Sequence, residues 1–327
     1  MRRGYLAAVT FDQLLADAPR QTAEQWAARA AKEWRGRAPE DFAVALGAGA
    51  SVPPFVSTDD RRVALPRPQR GQWKLLSDLR ALGPAITAAD ALTELEGGAQ
   101  GLALTAEQLP RLRAGGEDIR YDFLTLLLSG EVRDGETRLR ETVPAEQFRK
   151  LAWEKTVVAP APDTDTVEQV AALAKLLDAR IANAPADWRP AVEVHLPSDY
   201  LQAVALLAAV DLIWDNLHAA QFGGITAVPT LYLHAAVRPT AVTDTPEAYL
   251  VDATVRAVAA ASAGVDALSV APFSASPDHR RQARNLLHLL QLEAGLAGGT
   301  DALAGAAWFE EAALAIARAA RPASPAD

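Results

Sequence analysis

The stretch AVEVHLPSDYLQAVALLAAVDLIWDNLHAA covers residues 191–220 and divides into a short apolar run and a long apolar segment. The run Ala191–Leu196 has the length and composition of a buried strand. The segment from Ser198 to Ala220 is too long for a strand and is typical of a core helix. A strand followed by a helix of this length is the repeating unit of parallel α/β proteins.

The same alternation recurs along the chain from Trp73 onward. Six strands are predicted, at Ala99–Leu104, Tyr121–Ser129, Lys155–Ala161, Ala191–Leu196, Val228–Ala235 and Val265–Phe273. Because the spacing leaves room for two weaker strands, we expect an α/β fold with a TIM-like (β/α)8 barrel, complete or degenerate. An open parallel sheet is the alternative. The charged segment 130–149 has no predicted strand.

Residues 1–70 are expected to form an N-terminal arm, helical and extended, that precedes the barrel domain of residues 71–327. Within the arm, Thr22–Gly36 has an amphipathic helical pattern with Thr22 as its cap. The piece GAGASV resembles a strand that leads into a nucleotide-binding loop. Pro53 and Pro54 follow directly, where a phosphate-binding helix would begin, so we reject a nucleotide site there.

Composition excludes several classes of function. The chain has 327 residues and a net charge of −9, which disfavours binding to nucleic acid. It has no cysteine, which removes disulfides, thiolate metal sites and a cysteine nucleophile. Neither a secretory signal nor an uncharged run of membrane-spanning length is apparent. We therefore expect a soluble cytoplasmic protein that binds no nucleic acid and no membrane.

Polar side chains that follow predicted strands are the candidates for chemistry, because barrels place their sites at the C-terminal ends of strands. His195 follows one strand, and His234 and Arg238 follow the next. Ser269 lies near the end of the last predicted strand, three residues after Asp266. Each has a simpler interpretation: hydrogen-bonded scaffolding for the histidines, a turn or cap for Asp266, and solvation for Arg238.

The sequence gives less support to a metal site or a catalytic nucleophile than to the candidates at strand ends. The five histidines include no pair with metal-ligand spacing and none beside a matched carboxylate, so no metal site is predicted. A Ser-His-Asp arrangement stays open, although the sequence has no G-x-S-x-G elbow. From the residues alone, the prediction ends at a cytoplasmic barrel of unknown substrate.

The segment around R-Q-A-R-N, residues 281–285, carries a resemblance to a known family. It is followed by Glu293, Asp301, Gly305 and Glu310 at matching intervals. This pattern resembles the R-x-A-R-N helix, the acidic position and the D-P-x-x-G-S-Y-x-x-E loop of cobalamin-dependent methylmalonyl-CoA mutases. Where that loop has proline, serine and tyrosine, this chain has Ala302, Ala306 and Ala307. Weaker similarities, including the Thr22–Gly36 helix, follow the family's order over nearly the whole chain.

Departures from the family fall on its functional positions. The family's Tyr-His pair aligns with Val157 and Val158, and no tyrosine or histidine lies between Tyr121 and His195. His234 keeps the histidine of the sixth-strand motif, but Ala236 replaces a glutamine. The cobalt-ligating D-x-H-x-x-G motif is absent from the sequence.

The resemblance therefore implies a non-catalytic small subunit of a methylmalonyl-CoA mutase. It implies no catalytic residue and no cofactor in this chain, with adenosylcobalamin and the conversion of methylmalonyl-CoA to succinyl-CoA in the large subunit. A remaining acyl-CoA pocket would be lined by the side chains His195, His234, Arg238 and Ser269. The arm is expected to pack on a partner, as a heterodimer or by self-association.

An acyl-CoA-binding barrel without catalysis is one alternative. The other is a repurposed enzyme with His195 or His234 as general acid or base.

Overall fold

A computed structural model gives the fold of most of the chain. It describes residues 22–56, 68, 70–114, 119, 124–129, 157–158, 165–223, 228–240, 244–298 and 305–321. The charged segment 130–149 and the alanine-rich positions 301–304 lie outside these ranges.

Within the described ranges, seven parallel strands form the main sheet, and a small antiparallel hairpin precedes them. The hairpin consists of β1 Val44–Gly47 and β2 Ala50–Val52. The sheet strands are β3 Lys74–Asp78, β4 Gly101–Thr105, β5 Thr125–Ser129, β6 Val157–Val158, β7 Ala191–His195, β8 Tyr232–Val237 and β9 Ala267–Val270. The predicted parallel α/β sheet is confirmed, and so is a strand in each of the six predicted segments.

The strand order is β5-β4-β3-β9-β8-β7-β6. Each pair of neighbouring strands is also consecutive along the chain, with one exception. β3, the first described strand of the sheet, pairs directly with β9, the last. Pairing of the first and last strands gives the order of a barrel cut open between β5 and β6, whereas a doubly wound sheet keeps its first strand beside a middle one. The described residues thus form a curled, partly closed sheet, and the complete (β/α)8 barrel stays a prediction.

Helices follow most strands and cover the outer face of the sheet. Helix α1 Ala23–Glu33 instead precedes the hairpin. The others are α2 Ala88–Glu96, α3 Leu109–Ala114, α4 Thr166–Ile181, α5 Tyr200–Phe222, α6 Pro246–Ala263, α7 Pro277–His288 and α8 Ala307–Ala319. Short 3₁₀ turns occupy Pro39–Phe42 and Arg80–Ala85, and a π-helical turn occupies Leu289–Glu293. The predicted cap of the first helix is confirmed, because Thr22 Oγ1 accepts the backbone N–H of Gln25.

The largest core cluster lies between the sheet and the helices α4 to α8, with α5 at its centre. A second leucine-rich cluster lies between the sheet and the helices α2 and α3. On the concave face of the sheet, Leu76, Leu127, Ala191 and Ala267 form a third, smaller cluster. Helix α5 is the one described helix long and apolar enough to span a membrane, but 67% of its most apolar window is buried inside the protein. Its apolar character therefore fits the core helix of a globular protein.

Buried ion pairs join α2 to α7 where β3 meets β9. Glu94 of α2 is 1% exposed and accepts hydrogen bonds from Ser77 Oγ at 3.0 Å and Arg284 Nη1 at 2.5 Å. Arg280 lies 3.4 Å from Glu94 and 3.1 Å from Asp90. Arg284 belongs to the R-Q-A-R-N segment, so one residue of that motif holds two neighbouring helices together.

The hairpin of the arm packs on helices that surround the sheet of its own chain. Leu46 and Val52 are each 1% exposed and belong to the largest core cluster. The backbone N–H of Ala48 donates to Asp165 at 3.0 Å, and Trp308 Nε1 donates to the carbonyl of Pro53 at 2.9 Å. These contacts fix residues 44–53 on α4 and α8, while α1 is outside this core apart from its own aromatic contacts.

Candidate functional site

Polar side chains meet on the concave face of the sheet, at the C-terminal ends of its strands. Asp78 lies two residues after Leu76 on β3, and Glu193 lies two residues after Ala191 on β7. Because side chains alternate along a strand, both carboxylates lie directly above the apolar cluster of the concave face. Register places Glu193 beside His234 of β8. We call Asp78, Arg80, Glu193, His195, His234, Arg238 and Ser269 the strand-end cluster.

Arg80 occupies the centre of the strand-end cluster. Its Nη1 lies 2.7 Å from both carboxylate oxygens of Glu193, and its Nε and Nη2 donate to Asp78 at 2.8 and 2.5 Å. The side chains of Arg80, Glu193 and Asp78 are 8%, 1% and 2% exposed. Burial alone would raise the pKa values of both carboxyl groups. The Arg80 guanidinium outweighs burial and holds the pKa of Asp78 below, and that of Glu193 well below, its ordinary value. Both carboxylates are therefore ionised and neutralised from within the chain.

His234 connects Glu193 to Ser269. Its Nε2 lies 2.8 Å from Ser269 Oγ, and its Nδ1 faces Glu193 Oε2 at 3.3 Å. All three residues are at most 1% exposed. An ionised carboxylate beside Nδ1 favours the tautomer with the proton on Nδ1, so Nε2 accepts from the serine hydroxyl. A Ser-His-Glu alignment of this kind has the order of a general-base relay, but it is closed to solvent.

His195 ends β7 on the same face as Glu193. Its Nε2 lies 3.7 Å from Glu193 Oε1, and its Nδ1 has no hydrogen-bond partner within the described ranges. Burial lowers the pKa of His195 to about 4, and the nearby arginines act in the same direction. The imidazole is therefore neutral near pH 7.

Arg238 is the member of the cluster with the most solvent contact. Its side chain is 31% exposed, and it reaches Glu193 at 3.3 Å and Asp78 at 4.0 Å. Burial lowers the pKa of Arg238, and the adjacent Arg80 lowers it further. Arg238 is thus held more loosely than Arg80 by the same two carboxylates.

Helix α6 supports the strand ends from behind. Arg256, which is fully buried and paired with Asp252, donates from Nη1 to the carbonyl oxygens of Arg238 at 2.9 Å and Leu196 at 3.2 Å. Tyr249 donates its hydroxyl to the carbonyl of Ala271 at 2.5 Å. These side chains tie the segments after β7, β8 and β9 to one helix, which fixes the backbone around the cluster.

The structure brings together all four site residues predicted from the sequence, His195, His234, Arg238 and Ser269. It does not test their predicted role in substrate binding. Sequence analysis missed Asp78, Arg80 and Glu193. The signal for Glu193 is its position two residues before His195 in a buried strand, and for Asp78 its position at the end of KLLSD. Asp266, interpreted as a turn or cap, instead pairs with buried Arg70 at 2.8 Å.

Two positions singled out by the family alignment are also placed. Val157 and Val158, which align with the family's Tyr-His pair, form β6 and pair in parallel with Val192 and Glu193 of β7. Asp301, in the family's loop motif, lies outside the described residues.

The cluster does not fit a corrin or a metal ion. A cobalt ligand needs an imidazole nitrogen that can reach an external ligand, whereas His234 and His195 are 0% and 2% exposed and face Glu193. Across the described ranges, no group of three potential ligands converges on a metal position.

The chain was compared with protein-family models and with curated proteins, and nothing in either set matches it.

Proposed function

We propose that this chain is a non-catalytic, cytoplasmic small subunit of a cobalamin-dependent methylmalonyl-CoA mutase, with a degenerate (β/α)8 barrel. The large subunit of the heterodimer would bind adenosylcobalamin and convert methylmalonyl-CoA to succinyl-CoA. The resemblance in sequence supplies the family. The strand-end cluster supplies the main structural support for the absence of catalysis.

That support is the pairing of Arg80 with Asp78 and Glu193. A site that acts on a charged substrate needs polar groups that are preorganised but still available to it. In this cluster the central cation and both anions satisfy one another at 2.5–2.8 Å, under almost complete burial. A substrate would have to break these pairs and leave buried charges uncompensated, which costs about 3–5 kcal/mol.

The layer beneath the cluster supports the same conclusion. Leu76, Leu127, Ala191 and Ala267 fill the concave face below the carboxylates. Each of them is at most 3% exposed. An acyl chain that extended along the sheet axis would have to displace this packed layer, so the described interior favours a structural barrel.

The experiment is co-expression with a mutase large subunit. We expect the two chains to purify together, the isolated small chain to show no turnover with excess adenosylcobalamin, and the assembly to be active. Ser269→Ala in the small chain should leave kcat/KM of the assembly within about twofold, since Ser269 is buried and remote from solvent. Turnover by the isolated chain without cobalamin would instead support a repurposed enzyme that uses the Ser269–His234–Glu193 alignment.

An acyl-CoA-binding barrel is a second candidate, favoured by the partial exposure and loose pairing of Arg238. Its guanidinium is the cation of the cluster best placed to meet a carboxylate or phosphate from solvent. Arg238→Met and His234→Ala should then weaken binding of methylmalonyl-CoA by calorimetry, whereas Arg281→Met, at a 64% exposed side chain on α7, should not. Equal affinities in all three variants would exclude this location.

A further inference from the structure

Arg80 enters the strand-end cluster from a connecting turn and not from a strand. It begins the 3₁₀ turn Arg80–Ala85 that follows β3, and its side chain folds back between Asp78 and Glu193. Two carboxylates from separate strands thus face one planar guanidinium. This is the arrangement with which proteins bind an arginine of a partner or a small planar cation.

The turn is anchored so that Arg80 stays inward. Gln108, which is 1% exposed, donates from Nε2 to the carbonyl oxygens of Leu79 at 2.9 Å and Gly83 at 3.0 Å. Gly83 has φ +52°, a conformation that favours glycine. Arg111 donates to the carbonyl of Pro84 at 2.6 Å. Contacts on the far side of the turn therefore hold the backbone where the side chain of Arg80 reaches Asp78 and Glu193.

We propose that Arg80 is an intramolecular ligand that occupies a guanidinium-binding site formed by Asp78 and Glu193 and closes the cluster to external ligands. The two carboxylates form a cation site, and the chain fills it with its own side chain. Removal of the guanidinium would uncover a site for small guanidinium or amidinium cations. Ammonium ions fit less well, because they cannot present paired, coplanar N–H groups to a carboxylate.

The test is Arg80→Ala, with methylguanidinium chloride as the probe and tetramethylammonium chloride as the matched salt. A ligand that binds only the native state raises its melting temperature in a saturable way. We expect millimolar methylguanidinium to raise the melting temperature of Arg80→Ala by several degrees and that of the wild-type protein by less than one degree. The double variant Arg80→Ala/Glu193→Gln, which keeps the buried charges balanced, should lose the response.

Every outcome decides the proposal. Equal shifts in the wild-type protein and Arg80→Ala, or equal shifts with the two salts, would overturn it. If Arg80→Ala fails to fold without a ligand, the reason is that two buried carboxylates, Asp78 and Glu193, have lost the cation between them. Refolding is then carried out in each salt: recovery in methylguanidinium alone supports the proposal, and recovery in both or in neither contradicts it.

Discussion

His234 Nε2 lies 2.8 Å from Ser269 Oγ, and both residues are fully buried. The serine is on β9 and the histidine on β8, so the hydrogen bond joins neighbouring strands on the concave face. Nδ1 of the same ring lies 3.3 Å from Glu193 Oε2, and the serine hydroxyl is the hydrogen-bond partner of Nε2. The bond thus gives a buried nitrogen of the imidazole a partner on the neighbouring strand.

Ser269→Ala should therefore destabilise the fold. The substitution leaves His234 Nε2 buried without a partner, which costs about 1–3 kcal/mol. Urea unfolding followed by circular dichroism measures the loss. As a control, Thr254→Ala removes an exposed hydroxyl that donates to the carbonyl of Leu250 within α6, and it should change the free energy of unfolding by less than about 0.5 kcal/mol. A Ser269→Ala protein as stable as that control would show that the imidazole finds another partner.

Arg70 joins the end of the arm to Asp211 of α5 and to Asp266, and it gives a second stability prediction. It donates to Asp211 at 2.6 and 2.9 Å and to Asp266 at 2.8 Å, with a side chain 2% exposed. Arg70→Met should cost about 3–5 kcal/mol, because it leaves paired carboxylates without their cation. The double variant Arg70→Met/Asp211→Leu should lose less than Arg70→Met alone.

The matched control for Arg70 is an exposed ion pair on α1. Arg29 and Glu33 lie 3.5 Å apart with side chains 71% and 68% exposed. Arg29→Met should therefore change the free energy of unfolding by less than about 0.5 kcal/mol. Equal losses at Arg70 and Arg29 in the same denaturation assay would mean that burial of the Arg70 pair contributes nothing.

Apolar patterning was sufficient to predict six of the described sheet strands and most helices. The run Ala191–Leu196 became β7 because its apolar residues fill the core on both faces of a covered sheet. The cap at Thr22 was predictable because it depends on residues three positions apart. The first sheet strand, Lys74–Asp78, was not among the six predicted strands, because its apolar run is only two residues long.

The strand-end cluster was only half predictable, for a physical reason. Histidines at strand ends stand out in a sequence with five of them, whereas Asp78 and Arg80 resemble ordinary turn residues. Both residues pair with or lie beside Glu193, which is more than one hundred residues away in the sequence. The fold of the sheet brings Glu193 close to them. Pairing over such a distance requires the topology, which a single sequence does not determine.

The pH dependence of stability should contain two opposing contributions between about pH 4.5 and 6.5. Burial lowers the pKa of His195 to about 4 in the folded chain, against about 6.5 unfolded. The unfolded chain takes up this proton first, so His195 makes stability fall as the pH falls. Burial, with Asp211 nearby, raises the pKa of Asp215 to about 6. The folded chain holds that proton more tightly, so Asp215 makes stability fall as the pH rises.

Single variants separate the two contributions. His195→Gln should leave the Asp215 contribution, so its stability falls relative to the wild-type protein as the pH is raised from 4.5 to 6.5. Asp215→Asn should show the opposite trend, with relative differences of about 1–2 kcal/mol across the window. Urea titrations at pH 4.5, 5.5 and 6.5 measure both. Parallel pH profiles for the two variants would contradict the assignment.

The N-terminal arm should divide into a part required for folding and a part available to a partner. Leu46 and Val52 are buried in the largest core cluster, and Arg70 is buried in its ion pairs. Deleting residues 1–70 should therefore unfold or aggregate the chain. Trp26 stacks on Phe55 with ring centroids 4.1 Å apart, and Phe55 is still 52% exposed. Deleting residues 1–36 removes α1 and should leave the sheet and its helices folded.

Association is then tested with that shorter truncation. If the arm contacts the proposed large subunit, deletion of residues 1–36 should abolish the heterodimer in light scattering while circular dichroism and melting temperature remain near those of the full chain. Phe55→Ser should weaken the complex by about tenfold or more, because a buried aromatic anchor contributes about 1.5–3 kcal/mol. Leu292→Ser, at a 78% exposed leucine of the π-helical turn, is the matched control and should not weaken it. Undiminished association by a folded truncation would place the interface elsewhere on the chain.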